Sequence, residues 1–188
     1  EVAKYGLINN INFFEWLEKY GPALCRGDKE LQQKAVIRSC QAKASIVAED
    51  ERELGNRTLL NLGHTFAHAL EAETGFSSIL LHGEAVAIGI TLAYDLSFRL
   101  GLCTLDETER VRNHYMSVGL PTNPNDVSGM DWNSDALLSH MASDKKVKDG
   151  HVRFILARGI GQAFVTDNVA MEDVRRTLDH AIFSSKHG

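Results

Sequence analysis

Two short stretches hold the side chains best suited to chemistry. Asn61-Leu62-Gly63-His64-Thr65-Phe66-Ala67-His68 runs on into Ala69-Leu70-Glu71, and His82-Gly83-Glu84-Ala85-Val86 follows. On a helix, His64 and His68 lie one turn apart on one face, with Glu71 a further turn along. Three titratable groups flanked by Leu60, Phe66, Ala67 and Leu70 are costly to bury without partners. A divalent ion such as zinc is a partner that imidazole suits. An H-x-x-x-H pair alone is more often two hydrogen-bonded histidines than a metal site. His82 strengthens the metal reading, because His-Gly at a helix start puts an imidazole where the backbone is slim. One carboxylate would complete three protein ligands and leave an open position, as in a catalytic zinc site. On spacing alone Glu1, Glu53, Glu71 and Glu84 all stay open as that carboxylate.

Taken singly, Lys43, Arg57 and the run Lys145-Lys146-Val147-Lys148 read as solvated charge. Gathered near a metal, they would hold a phosphorylated, carboxylated metabolite through charge-assisted hydrogen bonds. His114, His140, His151, His180 and His187 are scattered and take no assigned role. The three cysteines, Cys25, Cys40 and Cys103, are far apart and form no C-x-x-C. That usage argues against a disulfide framework or cysteine zinc cluster and fits a reducing cytoplasm. A formal charge of −5 argues against a nucleic-acid or anionic-membrane surface. There is no secretory signal pattern, and no apolar run approaches the roughly 20 residues of a membrane helix. Neither G-x-G-x-x-G nor G-x-x-x-x-G-K-[ST] occurs, so the chain has no recognisable phosphate loop of its own, and G-x-S-x-G is also missing.

The elements that must position these groups are mostly helices. Ile8, Ile11, Phe14 and Leu17 predict one helix from Leu7 to Tyr20, stopped by Gly21-Pro22. Asp28 caps a long helix to about Asp50. Its stripe Val36, Cys40, Lys43, Val47 and Asp50 is read as core-facing, with the Lys43 stem against apolar neighbours and its amine in a cleft. Glu53, Gly55 and Arg57 form a polar connector to a helix from Thr58 to Glu73 that is ended by Gly75. His82-Gly83 opens a central, almost wholly apolar helix over Glu84 to Leu100, closed by Gly101. Thr104-Leu105-Asp106-Glu107 is a capping box for a helix to about Ser117. Pro121 to Gly129 is a loop, and Asn133 or Ser134 caps a short helix to about Ser143. After the basic turn 144–150, the apolar runs around Phe154 and Phe164 flank Gly159-Ile160-Gly161 as a small hairpin. Met171, Val174, Leu178 and Ile182 mark a last amphipathic helix. The 188 residues thus predict a single, mainly α multi-helix domain with one small β-hairpin.

The order of Glu1-Val2-Ala3-Lys4-Tyr5-Gly6-Leu7-Ile8, Lys43, Glu53-Leu54-Gly55-Asn56-Arg57, Leu60-Asn61-Leu62-Gly63-His64-Thr65-Phe66 and His82-Gly83-Glu84-Ala85-Val86 resembles the C-terminal half of the 3-dehydroquinate synthases. Asp144-Lys145-Lys146 and Ile160-Gly161 fit as well, so the resemblance covers essentially the whole chain. It implies a two-domain shikimate-pathway lyase that converts 3-deoxy-D-arabino-heptulosonate 7-phosphate to 3-dehydroquinate and phosphate. The resemblance further implies a zinc or cobalt ion on Glu1, His64 and His82, with proton handling by Glu53 and His68. Lys4, Lys43, Arg57, Asn61 and one of Lys145 or Lys146 fall on substrate-contacting positions. NAD would be bound mainly by an N-terminal domain absent from these residues, and the chain, which opens directly on Glu1-Val2-Ala3-Lys4, reads as an excised half. On that basis the chain alone is expected to be inactive, and the complete enzyme a cytoplasmic homodimer. Where relatives often carry glycine, this sequence has Ala67. Other sugar-phosphate cyclases and metal-dependent polyol dehydrogenases share parts of the pattern, and a metal-free helical interaction module is the reading from a different class.

Overall fold

The computed structural model describes residues 1–50, 55–143 and 152–183. Among these, the helices are α1 (Val2–Asn9), α2 (Ile11–Cys25), α3 (Lys29–Glu49), α4 (His64–Glu73), α5 (His82–Arg99), α6 (Leu105–Ser117), α7 (Ser134–Ser143) and α8 (Met171–Phe183). Short 3₁₀ segments cover Asn56–Asn61 and Pro124–Asp126, and β1 (Phe154–Ala157) pairs antiparallel with β2 (Ala163–Thr166). The mainly helical domain with one hairpin is therefore as the sequence predicts. No helix among the described residues is long and apolar enough to cross a membrane.

Helix α5 is the hub. Its residues from Ala85 to Tyr94 are all buried, as are Leu96 and Ser97, and α4, α6, α8 and β1 pack around it. The Ser97 hydroxyl donates to the Ala93 carbonyl and accepts from the Ala157 amide, which docks β1 onto α5. The α4–α5 contact is the most extensive helix pairing described, and two glycines set its closeness. A Cβ built on Gly89 would lie 2.2 Å from the Gly63 carbonyl oxygen, and one on Gly63 would lie 2.6 Å from the Ile90 nitrogen. Gly63 also has φ +80°, a conformation that strains any L side chain.

That crossing explains one departure from expectation. The segment from Thr58 to Glu73 is not one helix but the 3₁₀ segment, a break at Leu62-Gly63, and then α4. A second departure lies at the start of the chain, where the expected helix Leu7–Tyr20 is split at Asn10. The Asn10 side chain accepts from the Phe13 amide and caps α2, and α1 folds back so that Gly6 lies against Phe14. Nor does Gly21-Pro22 stop α2, which runs through Pro22 to Cys25. Pro22 forfeits the bond its missing N–H would make to the Glu18 carbonyl, and the helix continues past it for less than one turn.

Helix α3 begins at the Asp28 cap, whose carboxylate accepts from the Leu31 amide. Its buried residues are Ala35 and Ile46; Val36, Cys40 and Lys43 are exposed, so the stripe expected to face the core does not. Lys43 and Val47 face a cleft instead. The capping box at Thr104 and Glu107 forms as predicted, and Glu107 also accepts from the Ile160 amide, tying the hairpin turn to α6. Asn133 caps α7 by accepting from the Ala136 amide. The basic turn 144–150, with Lys145 and Lys146, lies outside the described residues, as do Glu53 and His151.

Candidate metal centre

Three helices deliver one donor group each to a single point. Glu1 stands at the start of α1, His64 is the first residue of α4, and His82 the first of α5. Their ligand atoms all lie within 4.8 Å of one another. Glu1 Oε1 is 3.4 Å from His64 Nε2 and 3.5 Å from His82 Nε2. The opposite ring nitrogens are already engaged: His64 Nδ1 is 3.1 Å from the Leu62 carbonyl oxygen, and His82 Nδ1 is 2.9 Å from Glu71 Oε1. A carbonyl or an ionised carboxylate can only accept, so each Nδ1 carries the hydrogen. In the neutral imidazoles, each Nε2 then presents a bare lone pair toward a carboxylate. Three electron-pair donors converging this closely repel one another unless a cation sits among them. Two imidazoles and a carboxylate are a donor set that zinc or cobalt takes, with the nitrogens oriented from behind as metal-bound histidines usually are.

Positive charge surrounds this point. Lys4, one turn along α1, is buried and bonds Glu1 Oε2. Glu1, Lys4, Lys43, Arg57, Asn61 and His64 line one pocket of about 430 Å³, between α1, α3 and the 3₁₀ segment. Asp50, at the end of α3, accepts from the Gly55 amide at 2.6 Å and the Arg57 amide at 3.1 Å. It thereby fixes the backbone that carries Arg57.

Residues 1–147 match the family described as 3-dehydroquinate synthase C-terminal. The chain belongs to the 3-dehydroquinate synthase family. It is 56% identical to the 3-dehydroquinate synthase of Ruegeria pomeroyi over 184 residues, which is 98% of this chain and 50% of that protein. It is 54% identical to that of Rhodospirillum rubrum over 183 residues, 97% of this chain and 48% of the relative. The chain thus spans about half the length of the 3-dehydroquinate synthases it matches. Among solved structures, it superposes with TM-score 0.81 and 26% identity on 2-epi-5-epi-valiolone synthase from Streptomyces hygroscopicus, determined with NAD+ and Zn2+ bound, over 94% of this chain and 48% of the other. A 2-deoxy-scyllo-inosose synthase complexed with carbaglucose-6-phosphate, NAD+ and Co2+ has the same fold, with TM-score 0.73 and 17% identity over 96% and 50% of the two chains.

Other residues singled out in the sequence sit differently. The His68 ring is 5.6 Å from that of His64 but lines the neighbouring groove, with Thr65, His140 and Ser143. His64 and His68 therefore do not converge as a pair of ligands. Of the carboxylates left open by spacing, Glu1 reaches the imidazole Nε2 atoms, Glu71 stands behind His82, and Glu84 accepts from the Leu81 amide to cap α5. Glu53 is outside the described residues. Sequence reasoning missed Asp50 as an anchor and the Leu62 carbonyl as the group that orients His64. The only sequence signal for Glu71 was its place on the stripe of His64, two turns on.

Proposed function

We propose that residues 1–188 are the C-terminal, metal- and substrate-holding domain of a 3-dehydroquinate synthase, acting with an NAD-binding half that precedes it. The complete enzyme would convert 3-deoxy-D-arabino-heptulosonate 7-phosphate to 3-dehydroquinate and phosphate. The reading is carried by one observation: the donor set of Glu1, His64 and His82 stands beside a pocket lined by Lys4, Lys43, Arg57 and Asn61. When bound, zinc or cobalt supplies Lewis-acid polarisation of substrate oxygens, and NAD supplies reversible hydride transfer.

The chain's own residues do the rest by binding and by handling protons. Glu1, His64 and His82 hold the metal. Lys43 and Arg57 come from different elements and grip the substrate phosphate and carboxylate through charge-assisted hydrogen bonds, Arg57 in the bidentate manner open to a guanidinium. Lys4 adds a buried positive charge against the metal side of the pocket. Asn61 offers both a donor and an acceptor to a hydroxyl. One of Lys145 or Lys146 adds a further cation. The departing phosphate is itself a base, so His68 and Glu53 need only steer protons. A shared role for phosphate and carboxylate clamps also explains why cations collect in a chain of net negative charge.

The complete enzyme, assayed for phosphate release and for product, is expected to yield 3-dehydroquinate, and a different cyclitol or a simple ketone would overturn the substrate assignment. Turnover by residues 1–188 alone with NAD would overturn the division of labour. In the complete enzyme, His64→Ala should abolish stoichiometric zinc, whereas His68→Ala should keep the zinc and lower kcat by roughly 10²- to 10⁴-fold. Equal zinc contents in the two variants would refute the separate roles of the two histidines.

A further inference from the structure

His64 and His82 are fixed by different means. His64 is packed in, its side chain only 10% exposed, and its Nδ1 meets a backbone carbonyl that the chain cannot withdraw. His82 opens α5 with a side chain 50% exposed, so packing does little to hold its ring. What faces its Nδ1 is Glu71 Oε1 at 2.9 Å, on a side chain just 14% exposed. Glu71 belongs to α4, seven residues after His64 and therefore on the same face. The α4 backbone at that point is held by the Phe76 amide and the Thr74 hydroxyl, both donating to the Glu71 carbonyl oxygen.

We propose that Glu71 is the positioning residue for His82, so that α4 both provides one metal ligand and orients the other. The proposal rests on the metal reading given above. By accepting from Nδ1–H, the Glu71 carboxylate selects the tautomer whose Nε2 lone pair faces Glu1, and it locks the ring against rotation at the solvent-exposed end of α5. Glu71 needs this partner as much as His82 does, since a carboxylate this little exposed is costly to leave unpaired.

The test is a chelator-competition titration of Zn2+ on the complete enzyme, with cobalt substitution read by its visible absorption spectrum. Glu71→Ala is expected to weaken zinc affinity about 10- to 100-fold and to shift the cobalt spectrum. Glu71→Gln keeps an oxygen that can accept from Nδ1–H but loses the charge, so its loss should be smaller; it also carries the test if the alanine variant does not fold. His82→Ala sets the scale, with zinc binding lost. If both Glu71 variants bind zinc within about 3-fold of wild type while His82→Ala does not bind, Glu71 is only a structural ion pair and the metal reading stands. Should His82→Ala bind zinc like wild type, the metal reading itself falls and the inference falls with it.

Discussion

His64 and His82 rise from helices whose shared face is buried down to two touching glycines, whereas Lys43 and Arg57 stand on α3 and the 3₁₀ segment. Only Ala35 and Ile46 are buried among the described side chains of α3. The side proposed to hold a metal is thus continuous with the core, and the side proposed to hold anions stands on a mostly exposed long helix and a short 3₁₀ segment. The contrast matches the geometric demands of the two jobs. Metal ligands must sit within a few tenths of an ångström, which only a packed scaffold holds. Long cationic side chains reach a phosphate from many backbone positions, so their support can be light.

The largest effect that would break this contrast is at the helix crossing. Gly89→Ala puts a methyl 2.2 Å from the Gly63 oxygen and should cost about 3 kcal/mol or more in a denaturant titration. Stability equal to wild type would mean that α4 and α5 can slide apart and that the metal side is no more rigid than the other. On the anion side, Lys43→Ala should leave stability within about 0.5 kcal/mol while raising the KM for the phosphorylated substrate roughly 10- to 100-fold in the complete enzyme. A large loss of stability with unchanged KM would reverse the comparison.

The smallest effect concerns what dense packing strands. His114 on α6 is 7% exposed, edges against Phe14, and its Nδ1 has no hydrogen-bond partner among the described residues. Burial pulls its imidazole below the usual value near 6.5, with Glu18 opposing weakly. The unfolded chain therefore takes up a proton at a higher pH than the folded one. Folding stability is full above about 6.5 and declines as pH falls from there toward the lower folded value, by at most about 1.4 kcal/mol per pH unit. His114→Phe should flatten that slope between pH 6.5 and 5, whatever its absolute stability, as read from unfolding midpoints. An unchanged slope would show that the proton is taken up elsewhere.

Local chemistry was the legible part of the fold. The capping box at Thr104 and Glu107, the Asp28 cap and the hairpin around Gly159-Ile160-Gly161 depend on residues within a few positions of one another, and all formed as read. The failures are of two kinds, one local but masked and one with a distant cause. Apolar spacing through Ile8, Ile11, Phe14 and Leu17 continues unbroken across Asn10, so the cap that splits α1 from α2 is hidden inside a valid helical period. The break at Gly63 is dictated by Gly89, which the local sequence cannot announce. The site shows the same division. Histidine spacing drew attention to His64 and His68, but His64 meets Glu1 and His82 on other helices, so spacing along one helix was a poor guide to convergence. Resemblance to a family identified Glu1, His64 and His82 as a group, which the spacing had left open.

Gly63 immediately precedes His64, and Gly89 lies two turns along α5 from His82, so the Gly63–Gly89 contact works as a fulcrum for the helices that carry both histidines. Pushing the two helix axes apart by the width of a methyl, about 1 Å or more, would move the Nε2 atoms several times further than the roughly 0.2 Å that a metal–ligand bond tolerates. The span between the two imidazoles is therefore gauged by two hydrogen atoms where side chains would otherwise be. A variant could keep every donor group and every charge in the cleft and still lose the proposed metal site, through a single methyl added away from Glu1, His64 and His82.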